Sequence, residues 1–423
     1  MEYICKNESG YKLHIIKTTK FKTVTLRISF RRKANKKEIT MRNVLGDMLT
    51  ISSKKYPSKR ELTIKAQDLY AAHYHTATTR LGSYFNTDIY MSTLNDKYTE
   101  EGNLEKAIEF LKEILLNPDV ENNKFKDDKL DIIKSEYRDY LKSIKDSSAR
   151  YSLIRMLEEY DKTSPVSYNM YGYLDDLDNI NVENLYNYYQ SILKKDLVDI
   201  FILGDIDVDY IENIIKEKFK FNTLKVDKKD YIIPSKKARS RIKKVIETDK
   251  KAQSKLVIGA RLDNLNDYER RYAATLFNII FGGESDSKLF KEVREKNSLC
   301  YSIYSVANKI DNLLIIRSGI DKENYVKSVK LIKKCLSDMQ KGLFSEEDIS
   351  VAKEYYNTAL DGIVDNENRI IDDYYIQDLL GIDPIEKRRE MVSKVTKEDI
   401  INVAKKVFID TVYFLEGVKN ETD

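Results

Sequence analysis

Val24, Leu26 and Ile28 alternate with Thr25, Arg27 and Ser29. A period of two over a short run predicts a strand across Thr23–Phe30. Tyr11–Lys17 reads as a strand before it, and Arg32–Lys37 as a charged turn after it. The period then changes. Met41, Val44, Leu45, Met48 and Leu49 recur at helical spacing, which puts one apolar stripe on a helix over Thr40–Ser52. Arg60–Tyr70 reads as a further helix, and Ala71–Thr93 mostly as strand with a polar middle at Thr78–Ser83. Leu104–Leu115 and Asp127–Tyr160 are amphipathic and helical, and Ser164–Leu177, with Pro165 and Gly172, is a loop. Val182–Leu193 is a helix that feeds the strand Val198–Leu203, which Gly204 ends.

The second half repeats this order. Leu256–Arg261 reads as strand, Asp267–Phe281 as helix, and Tyr301–Ser305 and Leu313–Gly319 as strands. Tyr325–Gln340 matches Leu104–Leu115 in plan, and LFSEEDISVAKEYYNTAL at 343–360 echoes KFKDDKLDIIKSEYRDYL at 124–141. VTKEDIINVAKKVF followed by DTVYFLEG echoes NVENLYNYYQSIL followed by LVDIFILG. Two halves on one plan indicate a duplication. The expected fold class is α+β: two homologous halves, each an antiparallel-rich sheet with helices packed on one face. The expected domains are 1–218 and 256–423, joined by a linker at 219–255. That linker carries Pro234 and a basic run, KKARSRIKK at Lys236–Lys244, whose expected state is a solvated tether. No aromatic residue is interleaved in the run, which counts against base stacking.

Composition narrows the function classes. With 73 basic and 69 acidic residues the net charge is +4, too balanced to argue for a nucleic-acid or membrane partner. Cys5, Cys300 and Cys335 are scattered and odd in number, so neither a disulfide framework nor a zinc knuckle is expected. MEYICKNESGYKLHII lacks a basic region followed by an apolar one. The expectation is a reducing, cytoplasmic compartment.

Candidate chemistry concentrates in Phe281–Ser305. Ala273, Ala274, Leu276, Phe277 and Ile280 form a helical stripe, and Gly282 and Gly283 are expected to stop that helix with a left-handed cap. Asp286 or Ser287 can cap the next helix, whose Leu289, Phe290 and Val293 face inward, and Leu299–Ser305 is a strand. Arg294 and Tyr301 thus meet at a helix-to-strand corner. Taken alone, they would be a solvated cation and a core aromatic. His73 and His75 share one side of a strand, but a metal site would need further ligands, so hydrogen-bonded structural use is expected. Cys300 in a strand is expected to serve as a small hydrophobe. The chain has neither a Walker loop nor a G-x-S-x-G elbow.

The run from Gly282 to Tyr301 resembles the insulinase-like, inverted-zinc-motif peptidases, the pitrilysin and mitochondrial-processing-peptidase type. Their second halves carry G-G-x-x-S-S-x-L-F-x-x-x-R-E-x-x-x-L-x-Y. Gly282, Gly283, Ser287, Leu289, Phe290, Arg294, Glu295, Leu299 and Tyr301 match in order and spacing, and Asp286 departs. The resemblance implies a clam shell of two α+β halves. It also implies that Arg294 and Tyr301 hold the substrate and polarise its scissile carbonyl. Catalytic members carry His-x-x-Glu-His on the first helix, where two histidines hold zinc and the Glu activates water. Against that motif, Asn43 replaces the first His, Gly46 the Glu and Asp47 the second His. A neutral Asn is a poor zinc ligand, glycine is no base, and one carboxylate does not make a site. Glu136 resembles the distal zinc-ligand Glu but lies farther along than the family's usual interval, so it is not counted as a ligand.

The resemblance therefore implies no metal in this chain and a zinc-less subunit of a heteromeric insulinase-type metallopeptidase, inactive alone. Zinc is expected in a partner subunit, as a heterodimer or, failing that, a homodimer. The substrate is expected to be an extended peptide added along a sheet edge, with Ala71–Thr78 the candidate edge. The rival is a non-enzymatic scaffold or peptide-binding protein on the same fold. A third alternative is an autonomous peptidase with a metal site rebuilt at His73 and His75.

Overall fold

The alternating run at 23–30 lies in an 11-residue strand that is buried along most of its length. The structure, a computed structural model, describes residues 1–222, 230–251 and 253–418. Strand β1 spans Glu2–Glu8, β2 Tyr11–Lys17 and β3 Thr23–Lys33. Helices α1 (Ile39–Ile51) and α2 (Lys59–Asp68) lead into a hairpin of β4 (His73–Leu81) and β5 (Tyr84–Leu94). Next come α3 (Asn103–Leu116), the short strands β6 (Val120–Glu121) and β7 (Lys124–Phe125), α4 (Asp127–Ser143) and α5 (Ser148–Tyr160). They are followed by α6 (Leu174–Leu177), α7 (Val182–Lys195), β8 (Leu197–Gly204) and α8 (Val208–Lys218). The second half begins with β9 (Lys243–Asp249) and β10 (Ser254–Leu262), then α9 (Ala274–Asn278), β11 (Cys300–Asn308) and β12 (Leu313–Ile320). It ends with α10 (Tyr325–Gln340), α11 (Glu346–Asp361), α12 (Glu367–Leu380), α13 (Ile385–Ser393), α14 (Lys397–Lys405) and β13 (Val407–Gly417).

The duplication is visible strand by strand. The first sheet runs β1-β2-β8-β3-β5-β4 and the second β9-β13-β10-β12-β11. Beyond the added β1, each strand has a counterpart at the same place. Even the parallel pair recurs, β2 with β8 and β13 with β9, among otherwise antiparallel neighbours. The fold class is therefore the expected α+β one, with two homologous halves.

The boundaries differ from the expected 1–218, 219–255 and 256–423. One compact unit holds Met1–Ser143 and Asn169–Asp230; the other holds Ile144–Tyr168 and the chain from Tyr231 onward. Much of the expected linker belongs to the second unit, because β9 is the outer strand of its sheet. Residues 223–229 and 252 of the linker, and 419–423 of the second domain, lie outside the described residues. Nor is the basic run a free tether. Lys236 pairs with Asp161 at 2.8 Å, Arg239 with the buried Asp410, and Lys243 with Glu159, all within the second unit. Lys236, Arg239 and Lys243 thus meet carboxylates that the sequence places far away, while Lys237, Arg241 and Lys244 are exposed.

In the second unit the main core lies between the sheet and the helical layer, with Ile258, Phe277, Phe281, Leu289 and Ile332 fully buried. α5 covers the sheet's other face, where Met156 and Tyr160 meet Val257 and Tyr413. In the first sheet the polar face of β3 is buried too. Arg27 pairs with Asp88 at 3.1 Å and Arg31 with Asp199 at 3.0 Å. Buried charges must be paired to persist, and these are. Among the described residues no helix is long and apolar enough to cross a membrane.

Candidate functional site

Helix α1 carries Asn43, Gly46 and Asp47, and its buried stripe differs from the expected one. Val44, Leu45, Met48 and Leu49 are buried, but so is Arg42, which is fully enclosed, whereas Met41 is half-buried. Asn43, Gly46 and Asp47 line a pocket of about 440 Å³ with Thr76–Thr79 of β4, Tyr137 and Tyr140 of α4, and Met170 and Tyr171. β4 is an outer strand of its sheet, so the candidate edge Ala71–Thr78 is indeed an edge and borders this pocket.

None of the three positions keeps metal chemistry. The Asn43 amide donates to the Met170 carbonyl at 3.0 Å. Beside it, the Tyr137 hydroxyl donates to the Tyr171 carbonyl at 2.6 Å, and burial pushes that phenol's pKa up. Thr40, one turn earlier, accepts from the Tyr173 amide at 3.0 Å. These bonds clasp the 170–173 segment onto α1 and α4. The clasp needs Gly172 at φ +87, where a Cβ would lie 2.8 Å from Thr40 Oγ1. From sequence this stretch reads only as a loop, and Gly172 is its one signal. Asp47 stands on the exposed side of α1 but faces the pocket. Its pKa is raised to about 6, first by desolvation and then by repulsion from Glu136, with Lys59 opposing. Glu136 is exposed and thus approaches Asp47 electrostatically, but it is not one of the residues that line the pocket.

Gly46 marks a close approach between helix and strand. A Cβ there would sit 2.7 Å from Thr76 Oγ1 and 3.2 Å from Thr76 Cβ. Any side chain at this position, the family's Glu included, meets β4 first. Overpacking typically costs about 1–3 kcal/mol, while Gly→Ala inside a helix returns about 1 kcal/mol. Gly46→Ala is therefore expected to run from neutral to about 2 kcal/mol destabilising. In a Thr76→Ala background, which removes the 2.7 Å contact and keeps the 3.2 Å one, the same change should cost less, with a coupling of about 1 kcal/mol. Urea midpoints across the four variants measure this, and additive effects would show that the contact does not constrain position 46.

The corner in the second unit is built by unusual winding. Glu269–Ala273 and Ile279–Gly283 form π-turns on either side of α9, and Phe290–Glu295 is a third π-helical segment. Such turns recur at functional sites. Gly282 and Gly283 do not act as left-handed caps, since neither has positive φ. They are small because the chain is crowded: a Cβ on Gly282 would lie 2.6 Å from Ser305 Oγ and 2.7 Å from Leu289 Cδ1. Ser287 starts the next helix through its carbonyl, which accepts from the Lys291 amide at 2.9 Å. Leu289 and Val293 face inward as expected, while Phe290 is half-buried.

Arg294 lies at the end of the third π-segment, with its guanidinium carbon 4.6 Å from the Phe290 ring centre and 5.5 Å from that of Tyr301. Among the described residues no carboxylate pairs with it. Tyr301 is no core aromatic, being 78% exposed. The reason is a bulge: the pairing of β11 with β12 shifts register between Cys300 and Ser302, which turns Tyr301 outward on an edge strand. Cys300 beside it is half-buried, and burial raises its pKa.

His73 and His75 lie on β4 with ring centres 5.2 Å apart, and His75 stacks on Tyr90 at 4.6 Å. Among the described residues no third His, Cys or carboxylate joins them at ligating distance. His14 is buried in the first sheet, bonded to Tyr3 at 2.8 Å and facing Asp199 at 3.4 Å.

Comparison with known proteins bears on this geometry. Residues 179–356 match the family model described as the peptidase M16 inactive domain. The chain is 31% identical over 427 residues to a probable inactive metalloprotease, YmfF, of Bacillus subtilis (strain 168), covering 99% of each. Its fold matches a conserved protein from Enterococcus faecalis V583 with a TM-score of 0.90 and 27% identity, over 99% of both chains. It also matches the structure of a peptidase M16 inactive domain from Pseudomonas fluorescens, with a TM-score of 0.78 and 16% identity over 100% of this chain and 99% of that one. With Asn43, Gly46 and Asp47 where the zinc motif would stand, the chain belongs to the insulinase-like M16 peptidase family as a member without the His-x-x-Glu-His motif.

Proposed function

We propose that this chain is the zinc-less subunit of a heteromeric insulinase-type metallopeptidase. In this reading the partner subunit holds zinc and generates the nucleophile. This chain presents an extended peptide and contributes Arg294 and Tyr301. Their guanidinium and phenol O–H groups donate to the oxyanion that develops on the scissile carbonyl, a form of electrostatic stabilisation that works best with preorganised donors.

One observation carries the reading: Arg294 and Tyr301 sit side by side, the cation without a carboxylate among the described residues and the phenol held outward. Within the same unit Arg239, Arg261, Arg271, Arg388 and Arg389 each face a carboxylate. An arginine kept for its helix alone would gain from the same pairing; Arg294 forgoes it. Among the described residues no disulfide joins Cys5, Cys300 and Cys335, which fits a reducing compartment, and we assign the two subunits to the cytoplasm.

A non-enzymatic scaffold or peptide-binding protein is the second reading. It is favoured by the way Asn43 is committed to the Met170 carbonyl and Gly46 is sealed by Thr76, which leaves a pocket with neither a histidine at position 43 nor a glutamate at position 46. Gentle affinity capture with the full chain from its source organism, read by mass spectrometry, separates the two. The subunit reading expects a second insulinase-like chain with an intact His-x-x-Glu-His. Recovery of no such chain would favour the scaffold.

A further inference from the structure

The pocket beside α1 has lost the means to hold zinc, yet its lining remains suited to positive charge. Tyr137, Tyr140 and Tyr171 form a run of rings, with centres 5.9 Å apart in each successive pair and planes inclined at 45° and 72°. The hydroxyl of Tyr137 is committed to the Tyr171 carbonyl, which fixes that ring in the wall. Asp47 is the one carboxylate in the described lining, which contains no Lys, Arg or His. Among the described residues Asp47 has no ion-pair partner. Glu136 on α4 adds negative potential to Asp47, and Lys59 opposes it without pairing. The third wall is Thr76–Thr79 of the outer strand β4, whose free edge can accept an added strand.

We infer that this pocket binds a basic side chain, lysine or arginine, of a peptide lying along β4. An added strand turns every second side chain to one face. One of them would enter between the tyrosines and Asp47. Its methylenes would pack on Thr76 and Thr78, which share one face of β4, while its charge met the ring faces and the carboxylate. The losses at positions 43 and 46 remove zinc chemistry, and Asp47 leaves a full negative charge where the family has a neutral ligand. This inference rests on the peptide-binding part of the function proposed above; it does not require a zinc-bearing partner.

The test uses the full chain and fluorescein-labelled peptides of one β-prone sequence, with Lys, Arg or norleucine at a single central position. Binding is read by fluorescence anisotropy. The Lys and Arg peptides are expected to bind about tenfold more tightly than the norleucine peptide, from cation–π attraction and the charge pair together. Asp47→Asn and, separately, Tyr140→Ala should abolish that preference, so that the Lys and Arg peptides bind no more tightly than the norleucine peptide does to the same variant. Tyr140 is 39% exposed, and circular dichroism checks that both variants fold. Equal affinity for all three peptides would overturn the pocket's role and leave the subunit reading standing. Failure of every peptide to bind would overturn this inference together with edge pairing in the isolated chain. A basic preference that persists while no zinc-bearing partner exists would support the pocket and sink only the subunit reading.

Discussion

Arg294→Ala is expected to lower kcat of the reconstituted peptidase about 10²–10³-fold, the loss seen when one oxyanion donor is removed. KM should change little, because a donor aimed at developing charge acts on the transition state and not on the bound ground state. The stability cost should be small. Arg294 gives up its stacking on Phe290 and Tyr301 and breaks no ion pair, and an exposed cation–π contact is worth only about 0.5–1 kcal/mol. A large loss of activity with an unchanged melting temperature therefore separates a role in the reaction from a role in the fold. Tyr301→Phe keeps the ring under the guanidinium and removes only the O–H, so it should lower kcat as well. Full activity in Arg294→Ala would show that the assigned role is wrong.

Arg42→Met is expected to cost the first unit about 3–5 kcal/mol, the range for breaking a buried ion pair on one side. Arg42 is fully buried on α1 and donates to Tyr188 at 2.9 Å, Thr87 at 2.8 Å and Asp196 at 2.8 Å. Methionine fills much of the volume but leaves those three acceptors short of a donor. Asp196 would keep Arg32, and Tyr188 would keep Glu38 at 2.9 Å, which holds the loss toward the lower end. A drop in Tm on the order of 10 °C follows for a unit of this size. Scanning calorimetry measures it, and a change below about 1 kcal/mol would show that the network contributes little. This variant matters for function because α1 carries Asn43, Gly46 and Asp47.

The two periods of the chain carried most of the fold. β2 and α10 fall where alternation and helical spacing put them, and the echo between 124–141 and 343–360 corresponds to α4 and α11. Other elements gave weaker signals. β1 is a largely exposed strand at one edge, so no buried stripe announces it. β9 has half-buried alternation next to a basic run, and the charges dominated the pattern. The family resemblance singled out Arg294, Tyr301, Asn43, Gly46 and Asp47, but what surrounds them comes from long-range packing. Nothing local indicates that Thr76 closes on Gly46, that Met170 takes the Asn43 amide, or that a bulge turns Tyr301 outward. Gly282 and Gly283 illustrate the same limit. Their presence was legible, but their reason is contact with Ser305, Leu289 and Asn278, not the left-handed turn that glycine usually signals.

The most direct measurement is peptide cleavage by the isolated chain, stripped with chelator and reloaded with zinc, beside the same chain mixed with a zinc-bearing insulinase-like partner. A zinc-less subunit predicts no cleavage by the isolated chain and zinc-dependent cleavage by the pair that exceeds the partner alone. Zinc-dependent cleavage by the pure chain would contradict it.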